Sequence, residues 1–480
     1  MSKREPIIMK RFVDRKKELQ ALRAEYEREE ASFVVIYGRR RIGKTELISE
    51  FCRNRNVISF LATEENEEQN RAEFQRVVAE YTGNALLKEG TYGRWEPIFS
   101  VIAEEAKKDE RLILVIDEFQ YLGKANKAFP SVFMKIWDTY LKDTNIMLIL
   151  CGSLIRMMTD QVLRYDSPLY GRRTAQLRMV QIPFSYYCDF TPTLSEKNRI
   201  EHYAVTGGVP KYIEIFGENK DIYNAIQTHI LNSNAFLYAE PDFLLAKEVS
   251  EVGSYFSLMR VIAAGAHRLS EIASRLEVKQ SNLTTYLNTL MELDLIERCV
   301  PVTEASPEKS KMGQYRIKDN FIRFWFRFIY PYRGELERQE AGRVMERIRE
   351  QFIENHVSFV YEEICRYKVI EGIEGLPGVS KSGSWWDNKH AEIDVVAFDD
   401  GRKNMIFGEC KYSGQPKGTD VYYSLKEKRG YVKTDERTKQ EYYVIFSVGG
   451  FTEDLKRIAA AERNLVLVER LGDGWKRSNN

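Results

Sequence analysis

Short, uninterrupted apolar runs alternate with helically spaced segments through the first third of the chain. SFVVIYG (32–38) ends in glycine and leads into KTELISEFCR (44–53), which has helical spacing. RLILVIDEF (111–119) and NIMLILCGS (145–153) are two further apolar runs. Continuous rather than alternating runs suit strands buried on both faces of a parallel sheet. Helices between them imply right-handed βαβ crossovers. From about residue 195 the pattern turns helical, broken at Gly207-Gly208 and Pro210. Residues 254–317 read as three short helices and a hairpin. FIRFWFRFIY (321–330) reads as a helix burying Phe321, Trp325 and Phe328 between domains, with base stacking by these aromatics as the other reading. A second βα pattern begins near 340: a helical stretch (343–367), strands at about 391–398 and 404–411, a helix near 420–430 and a strand at 441–447.

Composition narrows the function classes. At about 150 residues per domain, 480 residues predict roughly three domains. Lys+Arg is 72 and Asp+Glu 71, a net charge of +1, so any nucleic-acid contact must come from a local patch. With 43% hydrophobic and 30% charged residues, wholesale disorder, collagen and a charged-tail protein are excluded. No stretch approaches the roughly 18 apolar residues of a membrane span, and the N-terminus carries no apolar signal core. The six cysteines are scattered with no CxxC pair, which predicts free thiols in a reducing cytoplasm.

The strongest chemical signal is Gly38-Arg39-Arg40-Arg41-Ile42-Gly43-Lys44-Thr45, a complete G-x-x-x-x-G-K-[ST] between an apolar run and a helical one. Glycines let the backbone wrap a phosphate, and the helix N-terminus adds partial positive charge. Lys44 is expected to reach the β- and γ-phosphates of ATP, and the Thr45 hydroxyl to ligate Mg²⁺. The run 112–118 ends in Asp117-Glu118. Acids at the end of a buried strand are costly unless a cation needs them. Asp117 is expected to orient the Mg²⁺ shell and Glu118 to polarise the attacking water as general base.

From Phe12-Val13-Asp14-Arg15 through the loop to the two acids, the chain resembles an AAA+-related ATPase of the archaeal-type family, which also occurs in bacteria. The resemblance covers roughly residues 8–240. It implies a polar γ-phosphate sensor at Ser153, in Leu150-Cys151-Gly152-Ser153. It implies an arginine-bearing stretch at Ser167–Thr174, in which Arg172 or Arg173 would stabilise transition-state charge, in cis or from a neighbouring copy in a homo-oligomer. Gly207-Gly208-Val209-Pro210-Lys211-Tyr212 matches the family's lid motif. The resemblance implies nucleotide-driven conformational change, not a named substrate.

Two later segments carry chemistry. Leu269, Ile272, Ala273 and Leu276 form one apolar face; a turn at Glu277-Val278 leads to a second helix with Leu283, Leu287 and Leu290 inward. Its outer face carries Lys279, Gln280, Asn282, Thr285 and Tyr286, side chains able to reach phosphates and base edges. With Ile296–Val302 and Gln314–Ile317 flanking a wing tipped by Lys309 and Lys311, this resembles a winged helix, which serves either DNA or protein contacts. Further on, Glu392 and Asp394 alternate on one strand, and Glu409 and Lys411 on the next, so they predict a shared face. This resembles the PD-(D/E)XK nuclease superfamily, without a literal Pro-Asp before the strand. The resemblance implies Mg²⁺ on Asp394 and Glu409, charge stabilisation or water activation by Lys411, and Glu362 as the upstream acid. The tail also resembles a domain of unknown function that recurs behind archaeal-type ATPases.

The expected fold class is α/β. A P-loop ATPase core with a parallel sheet (8–194) and a helical lid (195–250) precede a winged helix with the aromatic helix (251–335) and a restriction-endonuclease-like α/β domain (340–475). The expected function is that of a cytoplasmic, Mg²⁺-dependent ATPase acting on DNA, with nuclease output. The other reading is an ATP-gated signalling switch whose tail is an inactive nuclease fold used for binding.

Overall fold

The computed structural model describes residues 12–470 except 109, 388, 390, 435 and 436. The chain divides into two compact units. One comprises the chain up to 182 with 209–211 and 246–250; the other comprises 183–208, 212–245 and the chain from 251 on.

The first unit is built on five parallel strands: β1 (Ser32–Tyr37), β2 (Val57–Leu61), β3 (Leu112–Asp117), β4 (Ile146–Gly152) and β5 (Ala175–Arg178), ordered β2-β3-β4-β1-β5. The continuous apolar runs have a simple cause. On β1, Phe33 and Val35 enter one apolar cluster while Val34 and Ile36 enter another; β3 divides as Leu112, Leu114 and Ile116 against Ile113 and Val115. Both faces are covered, so no position needs to be polar. β2 and β5 escape the sequence pattern because they are edge strands: every second or third residue faces solvent, as in the half-exposed AQLR of β5.

In the second unit, the helices Glu196–Thr206 and Pro210–Phe216 are separated at Gly207, as the glycine pair predicts, although Val209–Lys211 belong to the first unit. Helices Val252–Ala263, Leu269–Leu276 and Gln280–Glu292 precede the hairpin β6 (Ile296–Cys299) and β7 (Gln314–Ile317). The expected strand 296–302 is cut short. After Pro301 the chain leaves the hairpin, and the Val302 N–H donates to Ser384 O (3.0 Å). Val302 thereby joins the apolar core of the C-terminal sheet. The Arg298 guanidinium donates to Pro307 O and Ser310 O and folds the intervening loop back, with Lys309 and Lys311 exposed. Phe321, Trp325 and Phe328 are at most 2% exposed, and the Trp325 indole N–H donates to Tyr238 O. Base stacking by these rings is thereby ruled out in favour of core packing.

The C-terminal sheet is mixed: β8 (Lys381–Trp386), β9 (Glu392–Phe398), β10 (Asn404–Lys411), β11 (Gln440–Ser447) and β12 (Leu465–Val468), ordered β12-β11-β10-β9-β8. β8, β9 and β10 pair antiparallel, and β10, β11 and β12 parallel. The helices Ser358–Glu371 and Thr419–Arg429 supply side chains to the upper end of β10. Among the described residues no helix is long and apolar enough to cross a membrane. All six cysteines are free thiols.

Candidate nucleotide and carboxylate sites

The loop 38–45 is shaped by positive φ at Gly38 (147°), Arg41 (68°) and Gly43 (90°). Glycine at 38 is required twice over, because a Cβ there would lie 2.4 Å from Met179 O. Gly43 caps the helix Lys44–Cys52. Lys44 is 6% exposed and its ammonium donates to Gly38 O and Arg39 O, both at 2.9 Å, so the lysine spans the loop from inside. Burial lowers its pKa, opposed by the nearby Cys151, Glu118 and Asp117. Arg39 and Ile42 are buried, at 7% and 1% exposure. Arg15, from the Phe12–Arg15 segment, clamps the loop from outside by donating to Ile42 O (3.0 Å) and Val180 O (2.6 Å).

β3 delivers the two acids. The Thr45 hydroxyl donates to Asp117 Oδ2 at 3.1 Å, which pairs a hydroxyl and a carboxylate oxygen, the donor type a hard cation takes. Asp117 Oδ1 accepts the Glu118 N–H (2.9 Å), and Glu118 itself sits at φ 52°. Ser153, at the end of β4, donates from its hydroxyl (2.7 Å) and its N–H (3.3 Å) to Glu118 Oε2. Arg40 Nε donates to the Ser153 hydroxyl at 3.4 Å and Arg40 Nη2 to the Tyr121 hydroxyl at 2.8 Å. The sequence-selected loop, acids and serine therefore converge. Arg172 and Arg173 make their contacts elsewhere. Arg172 ion-pairs with Asp138 (2.9 Å) and donates to Pro168 O, while Arg173 donates to Val162 O and Leu163 O and lies over the Tyr170 ring.

The C-terminal cluster forms where β9 and β10 splay. Their last pair is Val395 with Gly408; beyond it, Asp394 Oδ2 accepts the Cys410 N–H at 2.8 Å. Gly408 lets β9 and β11 both approach β10, since a Cβ there would lie 3.0 Å from Val395 Cβ and 2.8 Å from Val444 Cγ1. Glu409 accepts from Lys411 (2.7 Å) and from Lys428 (2.9 and 3.0 Å). Glu362 lies 3.6 Å from Arg366, which also donates to Asp394 O at 2.9 Å. Burial, then the Asp394 charge, pushes the Glu362 pKa up to about 8. Burial, then Glu409, pushes Asp394 up to about 6. Burial works against the Lys411 ammonium, but Glu409 outweighs it and the lysine's pKa is raised. Glu392, on the same strand as Asp394, is exposed and pairs with Arg316 at 3.7 Å. Among the described residues no three His, Cys, Asp or Glu side chains form a ready-made metal shell.

Sequence reasoning missed Gln120, Arg366 and Lys428. The i,i+4 spacing of Glu362 and Arg366 was a visible signal. Lys428 left none, because Glu409 lies on another element, and Gln120, two residues after Glu118, is marked out only once Ser153 joins it on that carboxylate. On the middle helix, Lys279, Gln280, Asn282 and Thr285 are exposed, but the Tyr286 hydroxyl donates to Glu251 at 2.6 Å.

Comparison with known proteins places the chain in a family. The family described as an ATPase domain predominantly from Archaea matches residues 12–216, and a family of archaeal and bacterial proteins of unknown function matches 325–424. "Uncharacterized protein MJECL04" of Methanocaldococcus jannaschii is 36% identical over 441 residues, covering 90% of this chain and 95% of its own. "Uncharacterized ATP-binding protein MJ0423" of the same organism is 44% identical over 46 residues, 10% of this chain and 78% of its own. The Walker-type ATPase PABY2304 of Pyrococcus abyssi shares the fold with a TM-score of 0.52 at 20% identity, covering 66% of this chain and 96% of that one. With the phosphate loop, the strand-end acids and a relative matched over nearly its whole length, the chain belongs to the archaeal-type family of P-loop ATPases.

Proposed function

We propose that this ATPase acts on DNA and that its C-terminal sheet carries a metal-dependent phosphodiesterase site. In the nucleotide unit, Lys44 is assigned to the β- and γ-phosphates, Thr45 and Asp117 to Mg²⁺, Ser153 to sensing the γ-phosphate and Glu118 to polarising the attacking water. The Thr45–Asp117 oxygen pair fits such an ion. Arg172 or Arg173 is assigned to transition-state charge, supplied within the chain or by a second copy. The division into core (8–194), lid (195–250), winged helix (251–335) and tail (340–475), and a cytoplasmic location, belong to the same reading.

The observation that carries the tail assignment is the convergence of Glu362, Asp394, Glu409 and Lys411 from one helix and two splayed strands. Burial and mutual repulsion raise Glu362 and Asp394, and Asp394 with the neighbouring Glu409 fits a divalent cation completed by water and substrate oxygens. Mg²⁺ bound there would supply positive charge to the scissile phosphate. Lys411 would stabilise charge developing on the phosphate, Glu362 would hold a proton near neutrality, and Cys410, 8% exposed, would stay in the core. One observation favours the switch reading instead. The cations Arg366, Lys411 and Lys428 already balance the three acids, so the cluster is self-compensated as it stands.

Purified protein with Mg²⁺ or Mn²⁺, single- or double-stranded DNA and ATP decides between them. Nicking or cutting that disappears in Asp394→Ala and Lys411→Ala, with ATP hydrolysis unchanged, is the expected result. Wild-type protein that cleaves neither DNA nor RNA under any of these conditions leaves the tail as a binding module.

A further inference from the structure

Glu118 is held by more than the strand that carries it. Its Oε2 accepts three donors: the Ser153 hydroxyl, the Ser153 N–H and the carboxamide Nε2 of Gln120. Gln120 lies two residues after Glu118 and is fully buried. Its own backbone carbonyl accepts Gln161 Nε2 at 3.1 Å. Two glycines make room for these amides. A Cβ on Gly152 would lie 2.4 Å from Gln120 Oε1, and a Cβ on Gly123 would lie 2.4 Å from Gln161 Cδ. The remaining amide oxygens, Gln120 Oε1 and Gln161 Oε1, are buried without a hydrogen-bond partner among the described residues. Burying two such acceptors is unfavourable for folding alone. The arrangement is accounted for if the amide nitrogens are what is needed.

We propose that Gln120, itself fixed by Gln161, is the positioning residue that orients the Glu118 carboxylate for ATP hydrolysis. Three donors on Oε2 fix the rotation of the carboxylate and point Oε1 away from them. That oxygen then takes the proton of the attacking water, while the water oxygen forms the new bond to the γ-phosphorus and the bond to ADP breaks. Gln120 touches neither nucleotide nor water; it acts only through Glu118. The donor on Oε2 also links the base to the phosphate loop, because the same Ser153 hydroxyl accepts from Arg40. The inference rests on Glu118 being the general base.

The test is a double-mutant cycle on the full-length protein, with ATP turnover and the affinity for a fluorescent ATP analogue as readouts. Gln120→Met keeps size and shape and removes the donor. It is expected to lower kcat roughly 10- to 100-fold with KM and nucleotide affinity within about twofold, as misplacement of a general base does. Glu118→Gln is expected to lose about 100-fold or more. The double variant should be no slower than Glu118→Gln alone, since Gln120 has then nothing left to orient. Gln120→Glu, which replaces the donor with an acceptor in the same volume, should reproduce the pattern if Gln120→Met folds poorly. A kcat for both Gln120 variants within twofold of wild type overturns the proposal. So does an equal fractional loss on the Glu118→Gln background, which would mark a general structural role. Normal hydrolysis by Glu118→Gln would instead remove the general-base reading, and this proposal with it.

Discussion

At the scale of single residues, the phosphate loop is held by contacts that substitutions remove one at a time. Lys44 bridges the carbonyls of Gly38 and Arg39 while facing Asp117 and Glu118 in charge. Lys44→Ala is expected to weaken nucleotide affinity at least tenfold in a fluorescence titration, because an interior cation has no substitute. Gly38→Ala should do nearly as much without touching any charge. Its methyl group would meet Met179 O at 2.4 Å, and φ of 147° is strained for alanine. Overpacking of this kind costs about 1–3 kcal/mol, which the loop can recover only by moving. A Gly38→Ala protein with wild-type nucleotide affinity would show that the loop adapts.

At the scale of elements, the second unit buries two histidines, His202 and His356. His356 Nε2 contacts Ala204 O at 2.6 Å within a cage of Phe324, Phe328 and Phe352. Burial pushes its pKa down to about 3, and that of His202 down to about 4. Both folded values lie below the unfolded value near 6.5, so the unfolded chain binds the extra protons. Their stabilisation is therefore complete above about pH 6.5 and is lost as pH falls toward the folded values. Each histidine contributes about 1.4 kcal/mol per pH unit inside that window. Urea midpoints for this unit should fall between pH 7 and pH 5, and His356→Phe should flatten the dependence. Midpoints that do not change over that range would mean the rings are not held neutral.

At the scale of the whole molecule, the chain passes between the two units at 182/183, 208/209, 211/212, 245/246 and 250/251. Residues 207–212 thus divide between both units. Arg172 and Arg173 are engaged within their own chain, with Asp138 and with the carbonyls of residues 162 and 163. If a second copy supplies the arginine that hydrolysis needs, turnover per protomer should rise with protein concentration. Arg172→Ala or Arg173→Ala should then lose on the order of 10³-fold. Turnover that is flat with concentration and unchanged in both variants would assign the pair to local structure.

Local order in the chain was enough to reveal β1, β3, β4, β9, β10 and β11, because each is apolar on consecutive or alternate residues over a strand's length. The phosphate loop was legible for a related reason: a backbone that wraps phosphate demands glycines and a lysine within one contiguous segment. Asp394, Glu409 and Lys411 were legible through the two-residue period of strands. Edge strands β2, β5, β8 and β12 were not, since half-exposed residues obey no strict pattern. Nor was the end of the hairpin at Cys299, which depends on Val302 finding a better partner in Ser384. Gln120, Arg366 and Lys428 became functional candidates only in three dimensions. A donor's role is set by what reaches its acceptor: Asp394 and Glu409 come to Arg366 and Lys428 from 28 and 19 residues away, and Ser153 joins Gln120 on Glu118 from 35 residues beyond that acid. Periodicity and motif are properties of the backbone and its immediate neighbours; the charge balance and the hydrogen-bonded shell around each acid are properties of packing.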